Sequence, residues 1–373
     1  MKTSIKCEVC GEVYEYPFNL DKHRHIEQEI GGVPINYWNA KYILEKQSKL
    51  DVGLDKGIYK YKNYLPDYDE NFTLEEGNTA LIPINCDING TVYLKDESSN
   101  PTGSFKDRGM PLLMSEIKAY KKNTVAIPST GNAAISLTKY AKQANINSIV
   151  FVPETITEEK KELLKDATSI MYDEDLVESF EHCFSYCRDN ENVFNGFLST
   201  NISYLMGIKT IAYEIYEQLN NSAPDWIIIP CASGGSFVAQ YIGFSDLYRM
   251  GLIKKIPRFV SVQIAGGDPI TVGYESKMTK EIVLLDNPVD SETVLSSDTC
   301  FNYFKILDIL ELTNGIAVSI TDEEIKKLKN KKQYPQLEIS SMGGYVAMQK
   351  IKDMINEDDK VVIVGTAGEK KKI

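Results

Sequence analysis

The stretch Tyr93-Leu-Lys-Asp-Glu-Ser-Ser-Asn-Pro-Thr-Gly-Ser-Phe-Lys-Asp-Arg-Gly109 decides how the rest of the chain is read. An apolar run ends on the acidic pair Asp96 and Glu97, as a strand ends. A Pro-Thr-Gly turn follows, and Ser104 stands where a helix N-cap belongs. The pattern predicts a helix over 104–121 with Lys106 in its first turn. A cation is disfavoured beside the positive end of a helix dipole, which lowers the pKa of a lysine placed there. A lysine that loses its proton easily can form a Schiff base and act as a nucleophile or base. Taken alone, Lys106 reads better as a surface lysine on a helix; its surroundings raise the sharper reading.

Two further turns share that layout. Pro128-Ser-Thr-Gly-Asn-Ala-Ala134 follows an apolar run, so hydroxyls, an amide and helix N-terminal N–H groups converge there. This suits a carboxylate, although a plain helix cap is the commoner use of such residues. Pro230-Cys-Ala-Ser-Gly-Gly-Ser-Phe237 follows the strongly apolar run at 226–229, and its glycines let the backbone approach a phosphate at a helix start. It is neither a dinucleotide fingerprint nor a Walker loop.

Beyond these turns, short apolar runs alternate with helical periodicity from about residue 80 to the C-terminus. The alternation predicts an α/β fold of parallel-rich sheets with right-handed helical crossovers. The expected strands are 81–84, 91–94, 124–127, 148–152, 169–172, 226–230, 259–264 and 360–364. The expected helices, besides 104–121, are 132–144, 157–164, 176–189, 207–218, 235–250, 322–329 and 342–356.

The chain has 373 residues, 41 Lys plus Arg against 53 Asp plus Glu, and a formal charge of −12. That length gives room for two or three domains of roughly 150 residues. The acidic balance argues against nucleic-acid binding, which rests on neutralising phosphates. No apolar run approaches ~18 residues, so no membrane span is expected. Seven cysteines without a signal-like start suit a reducing cytoplasm. Among them, Cys183 and Cys187 on the helix 176–189, and Cys231 beside the glycine turn, read as core fillers.

Together and in this order, the turns resemble the threonine synthase branch of the fold-type-II pyridoxal-phosphate enzymes, the tryptophan synthase beta family. The pieces are Glu76-Gly-Asn-Thr-Ala-Leu81, Asn100-Pro-Thr-Gly-Ser-Phe-Lys-Asp-Arg-Gly109, Ser129-Thr-Gly-Asn132 and Gly207-Ile-Lys-Thr210. Others are Ala223-Pro-Asp-Trp226, Ser233-Gly-Gly235, Pro257-Arg-Phe-Val-Ser-Val-Gln263 and Gly365-Thr-Ala-Gly368. The resemblance covers over three quarters of the chain. It implies that Lys106 carries the cofactor as a Schiff base and serves as the base, and that Asn132 meets the cofactor's 3′ oxygen. Ser129, Thr130, Gly131 and Asn132 would hold the substrate carboxylate. Ser233, Gly234, Gly235 and Ser236 would bind the cofactor phosphate, and Thr366 would face the pyridine nitrogen. A homodimer is implied as well.

The chain departs from this branch where the substrate phosphate is bound. The branch has a segment resembling Asn-Ser-x-Asn-Pro-x-Arg, and here Leu198 takes the Asn position and Tyr204 the Arg position, while Ser199, Asn201 and Lys209 persist. An Arg fork suits phosphate better than other side chains. Arg108 and Lys209 are the candidate replacements.

The first 30 residues carry Cys7, Cys10, His23 and His25, a spacing resembling a two-Cys two-His finger without its normal fourth ligand. They are read as a degenerate zinc-finger-like segment with a possible structural zinc.

The chain is thus expected to comprise that segment (1–30), a connecting segment (31–75), a large domain (76–105 and 206–373) and a nested small domain (106–205). The expected activity is that of a pyridoxal-phosphate-dependent, threonine-synthase-like lyase in amino-acid biosynthesis, turning O-phosphohomoserine and water into threonine and phosphate. The alternatives are β-elimination or β-replacement on serine, phosphoserine or a related amino acid, and a non-catalytic partner protein keeping the fold.

Overall fold

Strands rich in Ile and Val that are apolar at successive positions can be buried on both faces, and this is where they lie. The computed structural model describes residues 4–7, 11–15, 29–30, 33–34, 38–41, 44–199, 201–277, 281–286, 289, 291, 293–298, 300–329, 335 and 337–369. Trp226–Pro230, buried along its whole length, sits inside a six-stranded sheet. The order is Ile316–Ile320, Arg258–Ile264, Trp226–Pro230, Lys360–Gly365, Thr91–Asp96, Leu81–Ile84. All neighbours are parallel except the last pair. A second, four-stranded parallel sheet runs Ser169–Asp173, Asn147–Pro153, Thr124–Pro128, Val193–Asn195. All of it comes from chain lying between Thr91–Asp96 and Trp226–Pro230.

The expected strands form, with ends shifted by a residue or two. Val193–Asn195 and Ile316–Ile320 were not expected, nor were the helices Pro269–Ser276 and Tyr303–Leu312. Three expected helices are corrected, one of them 342–356, which runs Ile339–Lys350. In place of 104–121, Phe105–Gly109 is a 3-10 turn, and the α-helix is Met110–Ala119, with Pro111 at its start. Proline fits that position because it has no N–H to leave unpaired. Ser104 makes no side-chain cap. In place of 207–218 there are two helices, Ile202–Ile208 and Thr210–Gln218. The first presses on the turn carrying Lys106: a Cβ on Gly207 would come 2.1 Å from the Arg108 carbonyl oxygen.

Near the N-terminus, Ser4–Cys7 pairs antiparallel with both Val13–Glu15 and Trp38–Lys41. This small sheet therefore crosses the boundary expected at residue 30. Cys10, His23 and His25 lie outside the described residues, and Cys7 ends the first strand. Among the described residues no group of His, Cys, Asp and Glu is arranged to hold a metal ion, and no helix is long and apolar enough to cross a membrane. Cys183 is buried with Ala126, Phe151 and Val193, and Cys231 belongs to the main core, as core fillers should.

A buried charge network ties the six-stranded sheet and the helix Thr210–Gln218 to the lysine turn. Arg108 donates from Nε and Nη2 to both oxygens of Glu97, at 2.6 and 2.8 Å, and from Nη1 and Nη2 to Glu214, at 3.0 and 2.7 Å. Lys95 adds a 2.8 Å bond to Glu214 and another to the Thr79 carbonyl oxygen. Breaking one member of such a set leaves an uncompensated buried charge, which costs about 3–5 kcal/mol. Glu214→Gln should lower stability by about that amount in urea unfolding. A change below about 1 kcal/mol would show that the network adds little to stability.

Candidate active site

A cavity opens beside this network. It is lined by Lys106, Asn132, Ser199, Tyr204, the Ser233–Ser236 turn, Glu338, Thr366 and the apolar residues Phe105, Leu198 and Phe237, among others. Seven separated stretches of the described sequence meet here. The Phe105 N–H donates to the Thr366 carbonyl at 2.9 Å, and Gly368 N–H donates to Gly103 oxygen at 3.0 Å. The lysine turn and the C-terminal segment are therefore stitched together, which brings Lys106 and Thr366 to one cavity.

Lys106, Asp107 and Arg108 are consecutive but meet different fates. Asp107 accepts from Thr102 N–H and Thr102 Oγ1, both at 2.6 Å, and from Ser136 Oγ at 2.5 Å. Arg108 is held in its ion network. Lys106 faces the cavity, its Nζ 4.6 Å from the centroid of the Phe105 ring. Burial pushes its amine down to about 8, against the opposing pull of the Glu338 carboxylate. The first cause is desolvation; the α-helix itself begins only at Met110, past the 3-10 turn that carries Lys106.

The glycine turn is built for close approach. Gly234 has φ +84°, and a Cβ there would fall 2.4 Å from Ile306 Cδ1. Gly235 starts the helix Gly235–Arg249, so Ser233 to Ser236 surround free N–H groups at the positive end of a long helix. Asn302 braces the turn by donating from Nδ2 to the carbonyls of Ser233 (2.8 Å) and Ser199 (3.0 Å). On another wall Asn132 Nδ2 donates to Glu338 Oε2 at 2.8 Å, and the Thr366 hydroxyl meets Ser341 Oγ at 2.6 Å.

Several expectations change. Arg108 and Lys209 do not line the cavity. Lys209 Nζ donates to Asp246 Oδ2 at 2.9 Å, with Tyr213 on the same carboxylate at 2.6 Å, all fully buried. Both cations are committed to carboxylates of the fold and are withdrawn as partners of a substrate phosphate. Ser129, Thr130 and Gly131 form the half-exposed to exposed turn leading to Asn132, and of the four only Asn132 lines the cavity. Glu338, Ser341 and Asn302 went unnoticed in sequence. The signal for the first two was Leu337-Glu-Ile-Ser-Ser341, polar residues opening a helix that starts at Ile339 and not at 342.

Comparisons with known proteins show the family and the fold. A family described as pyridoxal-phosphate dependent enzyme matches residues 72–367. A threonine synthase of Methanocaldococcus jannaschii is 30% identical over 97% of this chain and 91% of its own. One from Methanosarcina acetivorans is 31% identical over 97% and 90%. Among solved structures, a fungal L-serine ammonia-lyase from Rhizomucor miehei superposes with a TM-score of 0.68 at 19% identity, over 81% of this chain and 96% of that one. The processed threonine deaminase isoform 2 of Solanum lycopersicum gives 0.67 at 17%, over 88% and 95%. These structures share the fold.

The lysine's lowered pKa gives a direct test. Uptake of pyridoxal phosphate by the apoprotein requires a neutral amine, so its rate should rise with pH through a midpoint near 8. Following the bound chromophore from roughly pH 6 to 10 measures this; a midpoint in the ordinary lysine range, about 10.4, would show an amine that is still hydrated.

Proposed function

The chain belongs to the pyridoxal-phosphate-dependent enzymes, and we propose that it eliminates or replaces a leaving group on the β-carbon of a small amino acid of the serine type. The observation that carries this choice is the charge of the cavity. Among the described residues lining it, Lys106 is the one cation and Glu338 the one anion. A substrate phosphate would enter without a counter-charge of its own, since Arg108 and Lys209 are already paired. A hydroxyl or acyl ester needs none.

The residues present fit the cofactor. The seat at Ser233–Ser236 has N–H groups and a glycine whose Cβ would collide with Ile306, as a phosphate cradle requires. Lys106 offers an amine, Asn132 an amide and Thr366 a hydroxyl on the other walls. When bound, pyridoxal phosphate supplies an electron sink that weakens the Cα–H bond of an attached amino acid. The protein's part is to hold and move protons. Lys106, neutral in a large fraction near pH 8, receives the Cα proton at Nζ. The Cβ–O bond then breaks with its electron pair on oxygen, and the ammonium of Lys106 is the acid at hand to protonate it. Glu338 holds Asn132 in place through its 2.8 Å bond and acts on the lysine through space. In the elimination reading, the released dehydro amino acid hydrolyses in water to a 2-oxo acid and ammonia.

A second reading, conversion of O-phosphohomoserine to threonine, is favoured by the two archaeal threonine synthases aligned over 97% of the chain. Purified holoenzyme offered L-serine, O-acetyl-L-serine and O-phosphohomoserine separates the two. The first reading expects 2-oxo acid and ammonia, or a replacement product when a thiol is added. Threonine and phosphate from O-phosphohomoserine, with both serine substrates inert, would overturn it. Lys106→Ala should lose about a thousandfold or more in rate together with the bound chromophore.

A further inference from the structure

Tyr204 is the most buried polar group of the cavity wall without an assigned task. It is 2% exposed and lines the cavity, yet its hydroxyl has no hydrogen-bond partner among the described residues. Buried hydroxyls are rarely left so, because an unmade bond costs the full desolvation of the group.

Its position is rigid. The Tyr204 N–H donates to Asn201 Oδ1 at 2.7 Å, capping the helix Ile202–Ile208, and Asn201 Nδ2 in turn donates to Glu116 Oε2 at 2.9 Å. The ring lies against Gly109, where a Cβ would come 2.1 Å from Tyr204 Cδ2. The backbone has made room for this ring three residues past Lys106. Burial and the nearby Asp107 carboxylate hold the phenol far above its ordinary range, so it stays protonated and can donate.

We propose that the Tyr204 hydroxyl binds the leaving-group oxygen on the substrate's β-carbon, and so selects uncharged oxygen leaving groups, a hydroxyl or an acyl ester, over phosphate esters. This rests on the reading of the site given above. One neutral donor matches one oxygen lone pair. A phosphate ester brings two negative charges to a cavity whose lining includes Leu198, Tyr204 and the carboxylate of Glu338, and none of these offsets them.

Tyr204→Phe removes the hydroxyl and keeps the ring on Gly109. In the holoenzyme, kcat/KM for L-serine and O-acetyl-L-serine should fall about tenfold to a hundredfold. The affinity for L-alanine, which has the same backbone and no β-oxygen, should change by less than about twofold when titrated by the cofactor's absorbance. The Tm of the apoprotein should hold or rise, since no bond within the fold is lost. An equal loss for alanine and serine, an unchanged serine rate, or a Tm lowered by about 4 °C or more would overturn the proposal. Wild-type enzyme that turns over neither serine substrate would overturn the underlying reading, and the proposal with it. Active wild type with an indifferent Tyr204→Phe would overturn the proposal alone.

Discussion

The double grip of Arg108 on Glu97 and Glu214 is the interaction on which the site depends. It ties the residue after the strand Thr91–Asp96, the lysine turn and the helix Thr210–Gln218 into one unit with both charges of each sign matched by Lys95. Desolvated charges of this kind add little net stability beyond what an apolar replacement would give, but they tolerate no other arrangement. Fixing Arg108 fixes the turn two residues earlier. Asp107 is pinned to Thr102 and Ser136 in the same way, so the geometry of the turn leaves Lys106 directed to the cavity.

Three lysines with lowered pKa values, Lys95, Lys106 and Lys209, make the contrast plain. Burial lowers the pKa of each. Lys95 and Lys209 have a carboxylate oxygen at 2.8 and 2.9 Å, which holds them as cations. Lys106 has an aromatic ring at 4.6 Å and a carboxylate acting through space. A cation over a ring face is weakly stabilised compared with a hydrogen-bonded ion pair. Lys106 is therefore the lysine whose neutral form this fold tolerates, and proton transfer at Cα needs that form.

Much of this was legible in sequence because it is local. Continuous apolar runs such as Trp226–Pro230 declare buried parallel strands, and a glycine turn between a strand and a helix declares an anion seat wherever it occurs. The misreadings share a non-local cause. Nothing near Arg108 in sequence announces Glu214, and nothing near Lys209 announces Asp246, so both cations looked available. The 3-10 turn at Phe105–Gly109 has a local sign in Pro111, which marks the start of the α-helix proper, while the serine at 104 suggests an earlier start. Val193–Asn195 is too short to show a period. Glu338 and Ser341 were hidden because a helix boundary was placed three residues late, where the apolar periodicity begins and the polar opening turn had already passed.

The arrangement of charge also limits what the cavity can take. On the proposed reading, the cofactor's phosphate would sit on the N–H groups at the start of the helix Gly235–Arg249, which consumes no side-chain cation. Lys106 is neutral until it takes the Cα proton, and Glu338 is the one carboxylate among the described residues lining the cavity. The wall that would meet a substrate's leaving group is then apolar at Leu198 and neutral at Tyr204, inside a chain carrying a formal charge of −12. An incoming dianion would lose its hydration and gain only the dipoles of the seat already occupied by the cofactor. A neutral oxygen loses one or two water hydrogen bonds and regains one from a phenol that has no other partner among the described residues. On the proposed function, it is the balance between these two desolvation terms, more than any single contact, that selects an uncharged substrate.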